Sequence, residues 1–473
     1  MRSRAPIPPS AITSALCVVL AAQIGFAQEA AQEDNLTMRG RSRAAFGYDT
    51  TPDFVEYEPR YRELRRKAAA GLEELQLELA RQARAGRATP CSRQIFLEAR
   101  WLTFYSAHFD RIQKRLDDLR KMLGEPSDPA DSREQVAADG SYDHCSDAWF
   151  LKLDATIEEL EDRLSHGEKP KHPLKLLDRI STPEKLRQYL DSLLVSDIRK
   201  TGIDNRYELN IGISAIIRFV TRDLGELYPF PPEMERALFD YMDDHWQDPE
   251  TGFYGGWYRL PDGSIRKTAD LSVTFHIVSY RRQSTKRLPE MMRTLLAMEN
   301  YEFPFGWQQE WQPSNHHNYD VVRLFRIGWP VMEESQRAKA REAMKRMLDF
   351  CLTRTLNEDG SFKLMDEDTV GSSFMIPVHL LDDLGYFRSS RRFWTDEPFP
   401  EGPATARRIA ASIERMGLSD TESQKALRRL RWAAQEEEWR SAGWVLTVVA
   451  VVVAVAYAVW RYRRRRAAMN FHG

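Results

Sequence analysis

The sequence has few cysteines and none of the short motifs that diagnose a reaction. It contains four cysteines in 473 residues and no CxxC pair, which argues against a zinc ribbon or a thioredoxin-type site. It also lacks an HExxH zinc motif, a GxSxG nucleophile elbow and a Gly-rich phosphate loop. Acidic residues are absent from both ends of the chain, 1–27 and 441–473. The sequence therefore indicates location and architecture more directly than chemistry.

The composition is that of an ordinary globular protein. It is 42% hydrophobic and 29% charged, and the length allows about two or three domains. The formal net charge is −2, and without the arginines of the two ends it is about −9. This balance gives no general basic field, so we expect no nucleic-acid partner.

The N-terminal segment, 1–27, has the pattern of a secretory signal peptide. Arg2 and Arg4 form a basic start, an apolar run follows to Phe26, and Gly25 to Ala27 has the small-x-small form of a cleavage site. The alternative is an uncleaved membrane anchor. The short apolar run and the cleavage pattern favour removal.

The segment 443–460 is predicted to be a transmembrane helix. Its 18 residues carry no charge, which at 1.5 Å per residue gives about 27 Å. Five arginines fall in the tail, 461–473, and such a cluster stays in the cytoplasm, where it can touch anionic lipid. We therefore expect a single-pass cell-membrane protein with its bulk on the periplasmic side. A juxtamembrane helix, 419–442, is predicted to lead into the span.

The cysteines of the mature chain allow two interpretations. Cys91 and Cys145 each open a helical pattern in a compartment expected to be oxidising, so a disulfide would hold the two helix starts together. Two free thiols are the alternative, and the sequence leaves the choice open. Cys351 lies on an apolar helical stripe and is predicted to be a core residue.

The outward part is predicted to have two halves. After a polar linker (28–56), apolar residues recur at three- and four-residue steps through 57–170, which predicts a three-helix module. One apolar stripe runs without interruption from Trp101 to Leu123 and predicts a single helix there. The exposed faces of these helices are a possible surface for a protein partner.

From about 180 onward the chain shows a repeat. Gly252, Gly306 and Gly360 each end a turn and are spaced 54 residues apart. An amphipathic helix precedes each turn (232–246, 287–299, 334–356), and a more apolar helix follows it (269–282, 318–329, 372–386). A helix that is apolar on most sides must be buried, so this order predicts hairpins with one outer and one inner helix.

The turns Asp248–Gly256, Phe305–Trp307 and Asn357–Phe362 resemble those of the α/α toroid. That fold is shared by terpenoid cyclases, protein prenyltransferases and six-hairpin glycosidases. The resemblance covers about 180–417 and implies an all-α domain with a partial ring of helical hairpins around a cavity.

Two aspartates near the starts of inner helices are candidate catalytic residues. Asp270 and Asp320 each follow a capping-type residue, Thr268 or Asn318, by two positions. As first-turn carboxylates they would complement a helix dipole. At the mouth of a toroid they would instead form a carboxylate pair for glycoside hydrolysis.

Two histidines are candidate acid/base groups beside these aspartates. His276 shares a helical face with Ser272, Ser279 and Tyr280, which suggests the wall of a wet cavity. His317 lies in a loop-like segment next to His316, without the spacing of a zinc pair. The alternative for His276 is a hydrogen-bonded core histidine, and the alternative for the His316–His317 pair is a metal ligand. We predict no metal site, and the sequence does not identify a cofactor.

Aromatic residues are dense beside these positions. Trp257, Trp307 and Trp311 are candidate platforms for a glycan ligand, because flat rings stack on sugar faces. They can equally be apolar plugs that fix the turns.

The sequence thus supports two functions. The first is a carbohydrate-active hydrolase or lyase of the cell envelope, with Asp270, Asp320, His276 and His317 in the site. The second is a non-catalytic envelope binding or scaffold protein, in which the aspartates only cap helices.

Overall fold

The computed structural model describes residues 59–84, 87–124, 134–221, 224, 227–281, 285–309, 312–363, 370–418 and 420–436. The predicted signal peptide, linker, transmembrane segment and basic tail lie outside these residues, as does Trp311. The described chain is all-α, with only three short strands. No helix within it is both long and apolar enough to cross a membrane.

The chain divides into two compact units, and the division falls between Gln336 and Arg337. It therefore lies within the region 180–417 that the sequence analysis treats as one domain. The helices of unit 1 are α1 (Pro59–Arg84), α2 (Pro90–Tyr105), α3 (Phe109–Gly124), α4 (Trp149–Ser165), α5 (Pro183–Leu194), α6 (Ile198–Thr201), α7 (Arg206–Thr221), α8 (Met234–Asp240), α9 (Leu271–Tyr280), α10 (Leu288–Ala297) and α11 (Asn315–Gly328). Short 3₁₀ turns cover Lys175–Ile180 and Trp329–Val331, and a π-helical turn, Tyr241–Trp246, extends α8.

Unit 1 also contains a small three-stranded sheet. Its strands are β1 (Val195–Ser196), β2 (Trp257–Arg259) and β3 (Ile265–Lys267). β1 runs parallel to β2 with Val195 opposite Trp257, and β3 runs antiparallel to β2 with Lys267 opposite the same residue.

Unit 2 continues the pattern of helices joined by tight turns. α12 (Glu334–Phe350) crosses the division and ends in the π-helical turn Cys351–Thr355. α13 (Val370–Asp383), the 3₁₀ turn Ser389–Arg391 and α14 (Gly402–Arg415) follow. A last helix, α15, covers 421–436.

The N-terminal region has four helices rather than the three predicted. The helix expected to run through 101–123 is broken at Ser106, whose backbone is extended (φ −137°, ψ 150°) and pairs with Ile203. The Ser106 hydroxyl accepts the backbone N–H of His108 at 3.0 Å, which stabilises the break. The apolar stripe continues on both sides because Leu102, Ile112 and Leu116 all enter one core.

Cys91 and Cys145 form a disulfide, so the structure has the first of the two alternatives that the sequence left open. Their Cα atoms are 5.5 Å apart. The bond ties the first turn of α2 to the loop just before α4. Cys351 is a buried free thiol, as the apolar stripe predicts.

The six helices of the predicted repeat are confirmed within a few residues. The turn glycines are required by geometry as well as by sequence: Gly252 and Gly360 have φ of 70° and 87°, which side-chain-bearing residues rarely adopt. Gly306 packs so closely on the Tyr301 carbonyl that a Cβ would collide with it. Two of the three predicted outer helices, α8 and α12, end in a π-helical turn before their glycine.

We expect removal of the disulfide by C91S/C145S to lower the free energy of unfolding by about 2–4 kcal/mol. The bond closes a loop of 54 residues and so restricts the unfolded chain. Urea unfolding of the oxidised protein and the double variant measures the change. Reduction of the wild type serves as the control, and it should reproduce the loss. Equal stability of the two proteins would contradict the prediction.

Candidate functional site

Four helices of unit 1 lie side by side in chain order, and polar side chains lie between them. α7 lies against α4 and against α9, and α9 lies against α11. On α7 four buried polar residues recur every four positions, which puts them on one helix face: Arg206, Asn210, Ser214 and Arg218. We call the polar seam the set Arg206, Asn210, Arg218, Ser272, His276, Tyr280 and Asp320.

The centre of the polar seam is His276, which a hydrogen-bonded chain orients. Its Nδ1 lies 2.7 Å from Asn210 Oδ1, and Asn210 Nδ2 donates to Ser272 Oγ at 3.0 Å. Because Oδ1 of an amide only accepts, Nδ1 of His276 carries the proton and Nε2 keeps its lone pair. Within the described chain Nδ1 is the ring nitrogen that is hydrogen-bonded. His276 is thus placed as a proton acceptor.

Burial keeps His276 uncharged. It lowers the pKa of the imidazole to about 3, and the positive charges of His316, Arg218 and Arg206 act in the same direction. The histidine is therefore a neutral base at physiological pH.

Tyr280 lies one helical turn after His276, and the two rings stack. Their centroids are 5.6 Å apart and their planes differ by 14°. Burial raises the pKa of Tyr280 to about 12, so its hydroxyl stays protonated at neutral pH. The guanidinium of Arg218 lies 5.9 Å from the same ring and is itself held by Glu158 and Glu161 of α4. The seam thus pairs a neutral base with a neutral acid.

Both carboxylate oxygens of Asp270 accept hydrogen bonds from structural partners. Oδ2 accepts from Arg206 Nε at 2.5 Å, and Oδ1 accepts from Arg206 Nη2 at 3.2 Å. Oδ1 also accepts the backbone N–H of Val273 at 3.0 Å, which makes Asp270 the N-cap of α9. Both partners of the ion pair are buried. Arg206 reaches further to the hydroxyl of Tyr105 at 3.1 Å.

The prediction that Thr268 and Asn318 are helix N-caps is wrong. The hydroxyl of Thr268 instead donates to the Gly256 carbonyl at 2.7 Å. α11 begins four residues earlier than the Asn318 cap implied, because Ser314 caps it by accepting the backbone N–H of His317 at 3.2 Å. Asp320 consequently lies in the second turn of α11 rather than at its start.

Asp320 is buried, and no described cationic side chain forms an ion pair with it. Burial alone raises the pKa of its carboxyl well above the ordinary range, so the group is a neutral acid. Its Oδ1 has no hydrogen-bond partner among the described residues. A negative charge on Asp320 would raise the pKa of Tyr280.

His317 is a core residue rather than a loop residue. Its ring stacks on Phe303 with centroids 3.8 Å apart, and burial lowers its pKa well below the usual value. Its Nδ1 has no hydrogen-bond partner in the described part of the chain. Among the described residues the His317 ring therefore has one unpartnered nitrogen and a hydrogen bond to the Trp307 backbone, but no side-chain partner with which it could relay a proton.

The tryptophans differ in what they can contact. Trp307 is 3% exposed and packs edge-to-face against Phe325, which is a core position. Trp257 is partly exposed, and Lys267 Nζ lies 4.3 Å from the centre of its ring. Of the two candidate tryptophans that the structure describes, Trp257 is the one that can present a ring face to a ligand.

No group of three or more histidine, cysteine or acidic side chains that could hold a metal ion occurs among the described residues. The seam itself offers uncharged or already paired groups, which suits proton transfer better than metal ligation.

The sequence located part of this site. It placed Ser272, His276 and Tyr280 on one face of an inner helix, and the structure has them there. It missed Arg206, Asn210 and Arg218, which lie on α7, the helix that precedes the first helix of the predicted repeat. Their four-residue spacing in an otherwise apolar helix was the available signal.

We expect D270N and D320N to affect stability very differently. D270N leaves the buried Arg206 guanidinium without its counter-charge and should cost about 3–5 kcal/mol. D320N replaces a neutral acid of the same shape and should cost less than about 1 kcal/mol. Urea unfolding of the matched variants measures both. Equal losses would contradict the assigned charge states.

We expect His276 to make the fold sensitive to acid. Its folded pKa of about 3 lies below the unfolded value of 6.5, so its stabilisation is complete above pH 6.5 and is lost as the pH falls toward 3. The stability difference between wild type and H276Q should therefore shrink on acidification, by up to about 1.4 kcal/mol per pH unit. Unfolding midpoints at pH 7 and pH 4 measure it. A difference that does not change with pH would overturn the assignment.

No family model matches this chain, and no curated protein matches it. The resemblance to the α/α toroid therefore stays a prediction, and function must be inferred from the site itself.

Proposed function

We propose that the protein is a membrane-anchored, extracytoplasmic carbohydrate-active enzyme built as a partial α/α toroid, and that it works as a lyase. The observation that carries this is the orientation of neutral His276 by Asn210 and Ser272, with protonated Tyr280 stacked beside it. The toroid part of the proposal is supported by the packing of unit 1. There α4, α7, α9 and α11 adjoin in order, and α10 packs on α11.

The charge states argue against the hydrolase alternative. A glycosidase of the usual kind needs one ionised carboxylate as nucleophile or base and one protonated carboxyl as acid. Asp320 could be the acid, but the carboxylate of Asp270 is held by Arg206 and by the end of α9. The pair therefore lacks a carboxylate that is free to react.

The seam suits β-elimination from a uronic acid polymer. In that reaction His276 Nε2 takes the proton from the carbon next to the sugar carboxylate. The electron pair of the C–H bond becomes a C=C bond, the C–O bond to the leaving sugar breaks, and Tyr280 donates its hydroxyl proton to the leaving oxygen. No oxidant, metal or water is needed, and a proton returns from His276 to Tyr280 through solvent. Trp257 is a candidate platform for a sugar ring at the edge of the unit.

A non-catalytic envelope scaffold remains the second candidate, since specific observations favour it. Asp270 acts as a cap and an ion-pair partner, as that hypothesis requires. Leu77 of α1 is 64% exposed and Phe104 of α2 is 45% exposed, which gives a partner protein two apolar contacts.

The two candidates separate in one assay. The full chain is incubated with polymers of uronic acid, and with neutral glucans for comparison, while the ultraviolet absorbance of the new conjugated double bond is followed. We expect turnover of a uronate polymer, and a loss of about 10²–10⁴-fold in H276Q and Y280F. H166Q is the control, because His166 is an exposed histidine that follows α4 and lies outside the polar seam. Absence of elimination on every uronate polymer, or full activity of H276Q, would favour the scaffold.

A further inference from the structure

α15 of unit 2 is packed into its own unit along one face. Ala426, Leu427, Leu430 and Ala433 are buried there. Arg429 Nη1 donates to the buried carboxylate of Asp382 at 2.8 Å. These contacts make α15 part of the body of unit 2, and not a free stalk.

The attachment extends to the last described turn. Glu436 Oε2 accepts from the hydroxyl of Ser390 at 2.5 Å, and its Oε1 accepts the backbone N–H of the same residue at 3.3 Å. The body of unit 2 is therefore fastened to the chain up to residue 436.

The opposite face of α15 is aromatic and basic. Trp432 is 53% exposed, Arg431 beside it is exposed, and Arg428 lies one turn before it, partly exposed. Indole rings prefer the membrane–water interface, and arginines there bind anionic headgroups. An indole ring that is exposed to water alone would not gain this favourable interfacial environment.

The distance to the predicted span limits where this face can lie. Seven residue steps separate Glu436 from Gly443, the first residue of the uncharged run. Even fully extended they cover at most about 25 Å. The headgroup layer takes up several ångströms of that distance. The segment between Glu436 and Gly443 is thus too short to hold the body of unit 2 far from the bilayer.

We propose that Arg428, Arg431 and Trp432 form a membrane-contact face, through which unit 2 rests on the headgroups of anionic phospholipid. This proposal rests on the membrane anchor in the proposed function, but not on the enzymatic activity. It commits to lipid as the occupant because the span follows so closely and because the face is cationic.

Brominated lipids test the proposal. The full chain is reconstituted in vesicles of anionic and zwitterionic phospholipid with bromine on the acyl chains, and quenching of tryptophan fluorescence is measured. We expect W432F to lose about a quarter of the quenching, since Trp432, Trp439, Trp444 and Trp460 are the tryptophans nearest to or within the span. W257F, which changes a partly exposed tryptophan of unit 1, should lose none.

The charge requirement is tested in the same vesicles. R428Q/R431Q should reduce the Trp432-dependent quenching with anionic lipid and leave it unchanged with zwitterionic lipid. R407Q/R408Q, two exposed arginines on α14, is the matched control and should behave as the wild type. Unchanged quenching in W432F would overturn the proposal and indicate a protein partner for the face.

Alkaline washing of the membranes distinguishes an error in the proposed contact face from an error in the predicted membrane anchor. Retention of the protein with unchanged W432F quenching would refute only the contact face. Release of the protein would refute the anchor, and the contact face with it.

Discussion

The buried ion pair between Arg206 and Asp270 is the interaction on which the rest of unit 1 depends. It joins the first residue of α7 to the cap of α9, and Arg206 extends the link to Tyr105 at the end of α2. Two charges in the interior tolerate little displacement, since a lost contact leaves each unsolvated. The pair therefore fixes the position of α7 along the axis of α9. This axial position places Asn210 opposite Ser272 and His276.

Burial of polar groups also decides which of them can react. Groups with a partner of opposite charge are held by that partner and are not available to a substrate, as Asp270 and Arg218 are. Groups without such a partner become neutral, as His276 and Asp320 do. A neutral group retains a proton or a lone pair that it can exchange, so the chemically available residues are the ones that lack an ion pair.

Sequence reasoning recovers the helices because their signals are local. The glycine turns and the change from amphipathic to apolar helices are visible over 10–20 residues, and all six repeat helices follow from them. The break at Ser106 could not be foreseen, because it is stabilised by pairing with Ile203 about a hundred residues away. The caps were misplaced for the same reason. Thr268 and Asp270 are both good capping residues, and the choice depends on a distant bond from the Asp270 backbone N–H to Tyr254.

The candidate chemistry follows the same division between local and distant signals. The face of α9 with His276 and Tyr280 is visible in the sequence, but the partner that sets the tautomer, Asn210, comes from a helix 66 residues earlier. Burial lowers the pKa of His276 and keeps it unprotonated, and the guanidinium charges of Arg218 and Arg206 add to this effect. The same positive field would stabilise the negative charge that develops on a substrate carboxylate as its neighbouring carbon loses a proton. In the proposed elimination this field keeps the base unprotonated and stabilises the anion beside it, and it also makes the base a weaker proton acceptor.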